Sequence, residues 1–564
     1  MKRFISLFIS LLMICSFSVF CVSAQQSEEL QIIVATDLHL DLESCKAEAV
    51  EGTNPVSADF AHASNGGQLH YESEAIIDGF LNQAAQSDSE YVLLAGDLTH
   101  HGSQQEHIYL AQMLAQFEAE SGKEIYLVPG NHDLRESTVE QFWQYYAPFG
   151  HSQALEIDEA TGSYAVDLSD EYRLIAINSA CSGKDGHNVT TQLMDWIKAQ
   201  GEKAKREGKK TVAMLHHNIM EHIILTTALN NGYVISEKEL DIANVFASLG
   251  IKYTFTGHTH HHDIASFESE DGTVIYSVLT SSMNAYPCPY RTVTFGDKVK
   301  IETDKVETIN TSMLPGGISD AAMNMAQTNF TEYAKMCTYS GIEYRLSAVT
   351  TADGLTALLK IEDEDIKAII QKVGDRLEKI LHTPLYEKDA AVEGDSIENL
   401  AKMYKTTLPA TEHETILKML TYFYQSHAEG DENIPSYSAD VIALTRAVAV
   451  GINYTLAELS GEEYAQILSF ALKSFGINVP VNFLKYAGDS IKRFEGCEIF
   501  VTTAVTPVIG EFGTDDGPAD NNVTLPGYDE LKEDNELTFF EKLMEIFKKI
   551  IDIVRTIFAF LPQK

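Results

Sequence analysis

The sequence predicts an α/β protein whose sheet-forming first half is followed by a mostly helical second half. Three observations predict it. Short apolar, often β-branched runs alternate with helical periods from about residue 29 to 308. Most of these runs end in a cluster of Asp, Asn or His. From about residue 309, strand-like runs become rare and amphipathic helical periods take over. Short apolar runs bounded by turn residues read as buried strands, and their alternation with helices implies βαβ units.

The strand-like runs are Ile32-Ile33-Val34, Tyr91-Val92-Leu93-Leu94, Ile125-Tyr126-Leu127-Val128, Val212-Ala213-Met214-Leu215 and Tyr253-Thr254-Phe255. Helical spacing over 72–86 and 106–121 separates the first three. Residues 172–177 read as a further strand ending at Asn178-Ser179, and 273–279 and 291–295 as antiparallel strands that close the domain. Beyond it, helical periods are expected over 319–340, 363–381, 415–425, 438–459 and 463–475. They define a helical domain at 309–512 in which no chemistry-bearing motif stands out. Residues 513–535, rich in Gly, Asp, Asn and Pro, read as a linker. Polar residues then recur at helical spacing between mostly apolar ones, which makes 536–564 an amphipathic C-terminal helix with a wide apolar face. Such a face either docks on the helical domain or contacts a membrane surface or a partner.

At 564 residues the chain exceeds one hydrophobic core. With 45% apolar and 22% charged residues it is globular rather than disordered. Lys2 and Arg3, an apolar run over 4–22 and the small-residue site Val22-Ser23-Ala24 read as a signal peptide over 1–24, which implies an exported protein, secreted or held at the cell surface. Its removal takes away two basic and no acidic residues and moves the formal charge from −41 to −43. Nucleic acid is then excluded as a partner, because phosphate-backbone binding needs a cationic surface. Five cysteines remain (Cys45, Cys181, Cys288, Cys337 and Cys497), too sparse for a disulfide framework or a cysteine-based zinc site. Nothing in the composition speaks to oligomeric state.

The polar clusters are Asp37-Leu38-His39, Gly96-Asp97, Gly130-Asn131-His132-Asp133, His216-His217 and Gly257-His258-Thr259-His260. They sit where open α/β sheets gather ligand-binding loops, at the carboxyl ends of strands. Carboxylate, amide oxygen and imidazole are borderline-hard donors suited to divalent or trivalent metal ions. Asp37 and His39, two apart on one loop, can grip one ion, and a carboxylate such as Asp97 has lone pairs enough to bridge two. Asn131, His216, His258 and His260 complete seven candidate ligands. Two ions about 3.5–4 Å apart clamp the attacking and leaving oxygens of an in-line displacement and lower the pKa of a bound water, so that hydroxide is the nucleophile at neutral pH. His132 is not needed as a ligand and is placed to give a proton or hydrogen bond to the leaving oxygen, with Asp133 able to orient it. His100 and His101 read as a solvent-exposed loop, with an approach to the substrate as the alternative; His217 either lines the site or supports it by a hydrogen bond, and Asn178-Ser179 is a candidate for the substrate's surroundings. His261 and His262 receive no role.

Taken together and in this order, the D-x-H, G-D, G-N-H-D, H-H and G-H-x-H blocks resemble the calcineurin-like metallophosphoesterase superfamily over about 29–308, which sets the expected domain at 25–308. The resemblance implies a four-layer α/β/β/α sandwich. It also implies one metal on Asp37, His39, Asp97 and His260, and a second on Asp97, Asn131, His216 and His258, the ions being iron, manganese or zinc, with His132 as catalytic acid or transition-state stabiliser. The third and fifth blocks are similar to those of bacterial class III cyclic-nucleotide phosphodiesterases, so a phosphodiesterase acting on a small-molecule or lipid phosphoester is expected. Phosphomonoesterases of the purple acid phosphatase type usually carry tyrosine three residues after the second-block Asp, where this chain has His100. A phospholipid or sphingomyelin phosphodiesterase, served by the amphipathic tail at a membrane surface, and a non-enzymatic surface-interaction protein with a vestigial site are the alternatives. The insertion at 40–71 is longer than a simple βα loop and is expected to shape the substrate pocket.

Overall fold

A computed structural model describes residues 29–46, 66–474 with short interruptions (223–233 and 236–240 the longest), 481 and 517–528. The expected signal peptide at 1–24 and the C-terminal helix at 536–564 lie outside the described residues.

The apolar runs become strands as expected: β1 (Leu30–Ala35), β2 (Tyr91–Leu94) and β3 (Glu124–Leu127), then β4 (Glu156–Ile157), β5 (Tyr164–Asp167), β6 (Tyr172–Ile177), β7 (Lys210–Leu215) and β8 (Ile251–Thr256). Strands β9 (Asp263–Glu268), β10 (Val274–Leu279), β11 (Pro289–Phe295) and β12 (Lys298–Lys305) follow. The helices of this half are α1 (Leu42–Lys46), α2 (Ser73–Ala85), α3 (Gln104–Ser121), α4 (Val139–Tyr146), α5 (Thr191–Arg206) and α6 (Ile242–Leu249). Helix α3 shows how local chemistry sets its bounds. Ser103 and Glu106 form a reciprocal capping box at its start, and Gly122, at φ 73°, ends it in the left-handed conformation that glycine adopts without a Cβ clash.

The strands build two mixed sheets. With β13 (Asn522–Pro526), one has the order β13-β12-β11-β1-β2-β3, the other β4-β5-β6-β7-β8-β10-β9. Strands β1, β2 and β3 run parallel, and so do β6, β7 and β8. Leu174 and Ala176 on β6 join a core shared with the first sheet. Ile175 and Ile177 point the other way and pack with Leu193, Ile197 and Phe246 of α5 and α6. The period-two alternation of a strand thus buries both faces of the second sheet. Helices α2 and α3 cover the other face of the first, completing the four-layer sandwich.

Two expectations are corrected. Strands β10 and β11 do not close the domain as an antiparallel pair: they belong to different sheets, β10 running parallel to β8 and β11 antiparallel to β1. The expected linker at 513–535 contains a strand, β13 (Asn522–Pro526), paired antiparallel with β12. Its Leu525 is buried, and the Asp520 carboxylate accepts the Ile264 N–H at 2.9 Å. Tyr528 Oη donates to the Thr211 carbonyl at 2.6 Å. A composition that reads as linker therefore supplies a sheet edge, because pairing partners 220 residues away outweigh its local turn preference.

The second half is helical: α7 (Asp320–Thr328), α8 (Phe330–Val349), α9 (Ala352–Leu358), α10 (Glu364–His382), α11 (Ile397–Met403), α12 (Ile416–Glu429), α13 (Ala439–Leu456) and α14 (Gly461–Ser474). The single helical period expected at 319–340 is broken at Asn329 into α7 and α8. Helices α10 to α13 enclose their own core around Ile380, Ile416, Phe423 and Leu444. Contacts tie this half to the sheets. Tyr333 Oη on α8 donates to Glu72 at 2.5 Å, and Gln425 on α12 donates to the Tyr286 carbonyl at 2.9 Å. His262 N–H donates to the His427 carbonyl at 2.7 Å.

Candidate metal centre

Parallel strands bring their carboxyl ends to one side, and both sheets deliver polar side chains there. Asp37 and His39 follow β1, Asp97 follows β2 and Asn131 follows β3. His216 follows β7, and His258 and His260 follow β8. The backbone ladder continues past the strands: Asp37 N–H donates to Gly96 at 2.9 Å and His39 N–H to Asp97 at 3.0 Å, which fixes the first two loops side by side. In the second sheet, Gly257 N–H donates to His216 at 3.0 Å.

Five of the seven expected ligands stand at positive φ: Asp37 at 52°, His39 at 43°, Asp97 at 50°, His258 at 76° and His260 at 59°. Each such residue costs on the order of 1–3 kcal/mol and persists where surrounding structure over-determines it, most often at functional sites. The block glycines have a steric reason. A Cβ on Gly257 would stand 2.1 Å from Thr36 Oγ1 and 2.3 Å from Asp37 Oδ2.

The seven side chains form two groups that share Asp97. In the first, His39 Nε2 lies 3.1 Å from His260 Nε2, 3.6 Å from Asp37 Oδ1 and 3.8 Å from Asp97 Oδ2. In the second, His216 Nε2 lies 3.3 Å from Asp97 Oδ2, 3.1 Å from Asn131 Oδ1 and 3.2 Å from His258 Nδ1. Donor atoms this close converge on points where a cation fits. Asp37 Oδ1, fully buried and 3.2 Å from His260 Nε2, accepts no hydrogen bond. Supporting bonds hold the donors in place. His216 Nδ1–H donates to the Ala95 carbonyl at 2.9 Å, which turns Nε2 toward the group, and Asp37 Oδ2 accepts from Thr36 Oγ1 and His258 N–H.

The electrostatics call for positive charge. Burial opposes ionisation of Asp37, yet His260 and His39 hold it far below the ordinary carboxylate value. Asp97, also buried, is held down by His216 and His132. Burial works against charging His216, but Asp97 and Asp37 push it up to about 9, the mark of a buried excess of negative charge. Burial and the neighbouring charge on His216 push His258 down to about 3. The donor set and its charge fit two ions of the iron, manganese or zinc class.

His132 stands beside this centre, its Nε2 4.0 Å from Asp97 Oδ2. Its backbone N–H donates to Asp97 Oδ1 at 2.7 Å, and its Nδ1–H to the His100 carbonyl at 2.7 Å. Burial pushes the ring down to about 3, so it rests neutral with the Nε2 lone pair facing the site.

Asp133 does not orient His132, which corrects the sequence reading. Its carboxylate accepts four hydrogen bonds, from Leu98 N–H, Thr99 N–H, Thr99 Oγ1 and Gly130 N–H, at 2.8–3.1 Å. It therefore staples the second and third loops together, and the orienting acceptor of His132 is a backbone carbonyl. Asn178 is also structural, donating to the Thr161 carbonyl and accepting from Ala180 N–H. Ser179 Oγ lies 2.9 Å from His217 Nδ1, behind the second metal group. His261 packs against Tyr424 and His427 of α12, and His262 bonds Thr303.

His100 is not on a solvent-exposed loop. Its ring lies among those of His39, His70, His101 and His132, with centroids 5.5, 4.4, 4.6 and 5.1 Å away. Burial and the neighbouring imidazoles push its pKa well down. Sequence reasoning missed two residues of this neighbourhood, Asp41 and His70. The repeat Asp37-x-His39-x-Asp41 was the available signal, since it puts three metal-binding side chains on one five-residue loop. His70 had none.

Residues 30–262 match the family model of calcineurin-like phosphoesterases. No curated protein matches the sequence. Among solved structures, a dimetal phosphatase from Danio rerio is 10% identical with a TM-score of 0.37, over 50% of this chain and 98% of that one. A purple acid phosphatase from yellow lupin (Lupinus luteus) seeds is 13% identical with a TM-score of 0.34, over 50% of this chain and 52% of the lupin enzyme. The match therefore spans about half the length of the lupin protein.

Proposed function

We propose that residues 30–262, which form a calcineurin-like phosphoesterase domain, hydrolyse phosphoric diesters with the help of two metal ions. One observation carries this reading. The Asp97 carboxylate lies between the two groups of donors, 3.8 Å from His39 and 3.3 Å from His216, with His132 at its side. Asp37, His39, Asp97 and His260 would hold one ion, and Asp97, Asn131, His216 and His258 the other. When bound, such ions neutralise phosphoryl charge and make water a nucleophile near neutral pH.

The chain's own residues do the rest. The His100 carbonyl fixes the His132 tautomer and aims Nε2 at the site. Beside an anionic phosphoryl group the ring takes up a proton from solvent water at Nε2 and delivers it to the leaving oxygen. Asp133 keeps the Asp97 and Asn131 loops in register while this happens. Histidine rather than tyrosine at position 100, where purple acid phosphatases usually carry tyrosine, favours the diesterase over the monoesterase.

The experiment is a substrate panel on the metal-loaded full chain: bis-p-nitrophenyl phosphate, p-nitrophenyl phosphate, cyclic nucleotides and phospholipid vesicles. The expected result is a higher kcat/KM for diesters than for p-nitrophenyl phosphate. The reverse order overturns the diesterase reading, and no turnover of any ester overturns the hydrolase.

A further inference from the structure

Beside the dinuclear centre lies a second assembly of metal-binding side chains that the proposed reaction does not use. Asp41 leaves the first loop just before α1, His70 opens a short 3-10 turn before α2, and His100 lies on the loop after β2. The donor atoms of the three lie within 4.8 Å of one another. His70 Nδ1 stands 3.3 Å from Asp41 Oδ2, and the His70 and His100 rings meet edge to face with centroids 4.4 Å apart. Two ligands of one tetrahedral zinc ion, each bonded at about 2.1 Å, stand roughly 3.4 Å apart, so the Asp41–His70 spacing is already that of a chelate.

The bonding inventory says the same. His100 Nδ1 has no hydrogen-bond partner although it is shielded from solvent, and His70 Nδ1 faces only the Asp41 carboxylate, at 3.3 Å and outside good hydrogen-bond geometry. A buried ring nitrogen left without a partner costs about 1–3 kcal/mol, and a cation held between the carboxylate and the two rings would satisfy both nitrogens. Asp41 accepts from Ser44 N–H and Ser44 Oγ, and each carboxylate oxygen retains a lone pair. Glu106 is near but engaged: its carboxylate holds His101 N–H, Ser103 N–H and Ser103 Oγ. His101, with a side chain 39% exposed and Nε2 3.7 Å from Asp41 Oδ1, closes the assembly toward solvent.

We propose that Asp41, His70 and His100 hold a third, separate divalent ion of the zinc type. Two imidazoles and one carboxylate are the donor set that selects zinc and its first-row neighbours over calcium or magnesium. Asp41 and His70 stand at the two ends of the 41–70 insertion, and His100 belongs to the loop whose carbonyl holds His132. The ion ties the insertion's ends to that loop. It sets the His132 ring indirectly, which makes these three positioning residues rather than catalytic ones.

The site does not depend on the dinuclear reading, and elemental analysis separates the two. The full chain is equilibrated with zinc buffered at micromolar free concentration, and bound zinc is counted for wild type, His70→Ala, His100→Ala and Asp97→Asn. The two histidine variants should each bind one equivalent less than wild type. Asp97→Asn should lose ions that they keep, and the double variant His70→Ala/Asp97→Asn should lose both sets. Wild-type zinc content in a folded His70→Ala overturns the proposal. Should that variant not fold, zinc-edge anomalous diffraction from wild-type crystals decides: a peak bonded to His70 and Asp41 supports the site, and peaks only at the Asp97 groups refute it. Wild type that binds a single ion, lost in His70→Ala, would retain this site and remove the dinuclear one.

Discussion

His39 and His260 face each other Nε2 to Nε2 at 3.1 Å, with Asp37 Oδ1 3.6 and 3.2 Å from the two nitrogens. Two imidazole lone pairs cannot point at one another without a proton or a metal between them. The contact links loops from opposite sheets, β1 on one side and β8 on the other, so a metal ion held there would also join the sheets.

Metal removal should therefore weaken the fold as well as the chemistry. An ion at 100 times its Kd stabilises the native state by about 2.7 kcal/mol per site. Chelation is expected to lower Tm by several degrees, and re-addition of manganese or zinc to restore it. Calorimetry of chelated and loaded protein checks this, and identical Tm values would contradict it.

Asp97→Asn should deplete both ions of the dinuclear centre together, because the shared carboxylate serves each group. Substitution of Asn131, which touches only the second group, should spare the first. Equal loss in the two variants would show that Asp97 does not bridge.

His132→Ala should keep its metals and lose turnover by ~10²–10⁴-fold, the usual contribution of a general acid–base group. Its ring lies beside the ligands, with Nε2 4.0 Å from Asp97. Metal content falling in step with activity would make it a ligand instead.

Glu72 should give stability a pH dependence of its own. It is fully buried, donates nothing, and accepts only from Tyr333 through Oε1, while Oε2 has no partner. Burial pushes it up to about 7 from an ordinary 4.5. The folded state thus binds a proton that the unfolded state has released, and stability is full below 4.5 and declines as pH rises to about 7. The loss approaches about 3 kcal/mol, at 1.36 kcal/mol per pKa unit. Glu72→Gln should remove this contribution, leaving Tm higher than wild type at pH 8 and the difference gone by pH 5. A difference independent of pH would refute it.

Chain ends on either side of β13 should behave differently. Ending the chain at 512 removes the strand on β12, the partner of Ile264 N–H and the Asp520 carbonyl that Arg291 binds. Such a chain should lose several degrees of Tm, whereas one ending at 530 should hydrolyse a soluble diester like the full chain. Equal stability of the two would make the strand dispensable.

The sequence by itself determined the strands of the metal-binding half, the order of the ligand blocks and the helical character of the second half. These are local properties: a buried strand announces itself by apolar residues, and a ligand at its carboxyl end by the polar residue that interrupts them. The seven expected ligands meet in two groups because parallel strands carry all their carboxyl ends to one side. Only the tertiary structure decided the roles of residues whose partners are distant. Asp133 read as an orienter of its neighbour, yet three of its four donors lie on the loop after β2, more than 30 residues earlier. His100 read as surface until His70, 30 residues earlier, packed against it. Residues 522–526 read as linker until an edge strand accepted them. A hydrogen-bonding group takes the nearest partner in space, and sequence neighbours do not reveal which one that is.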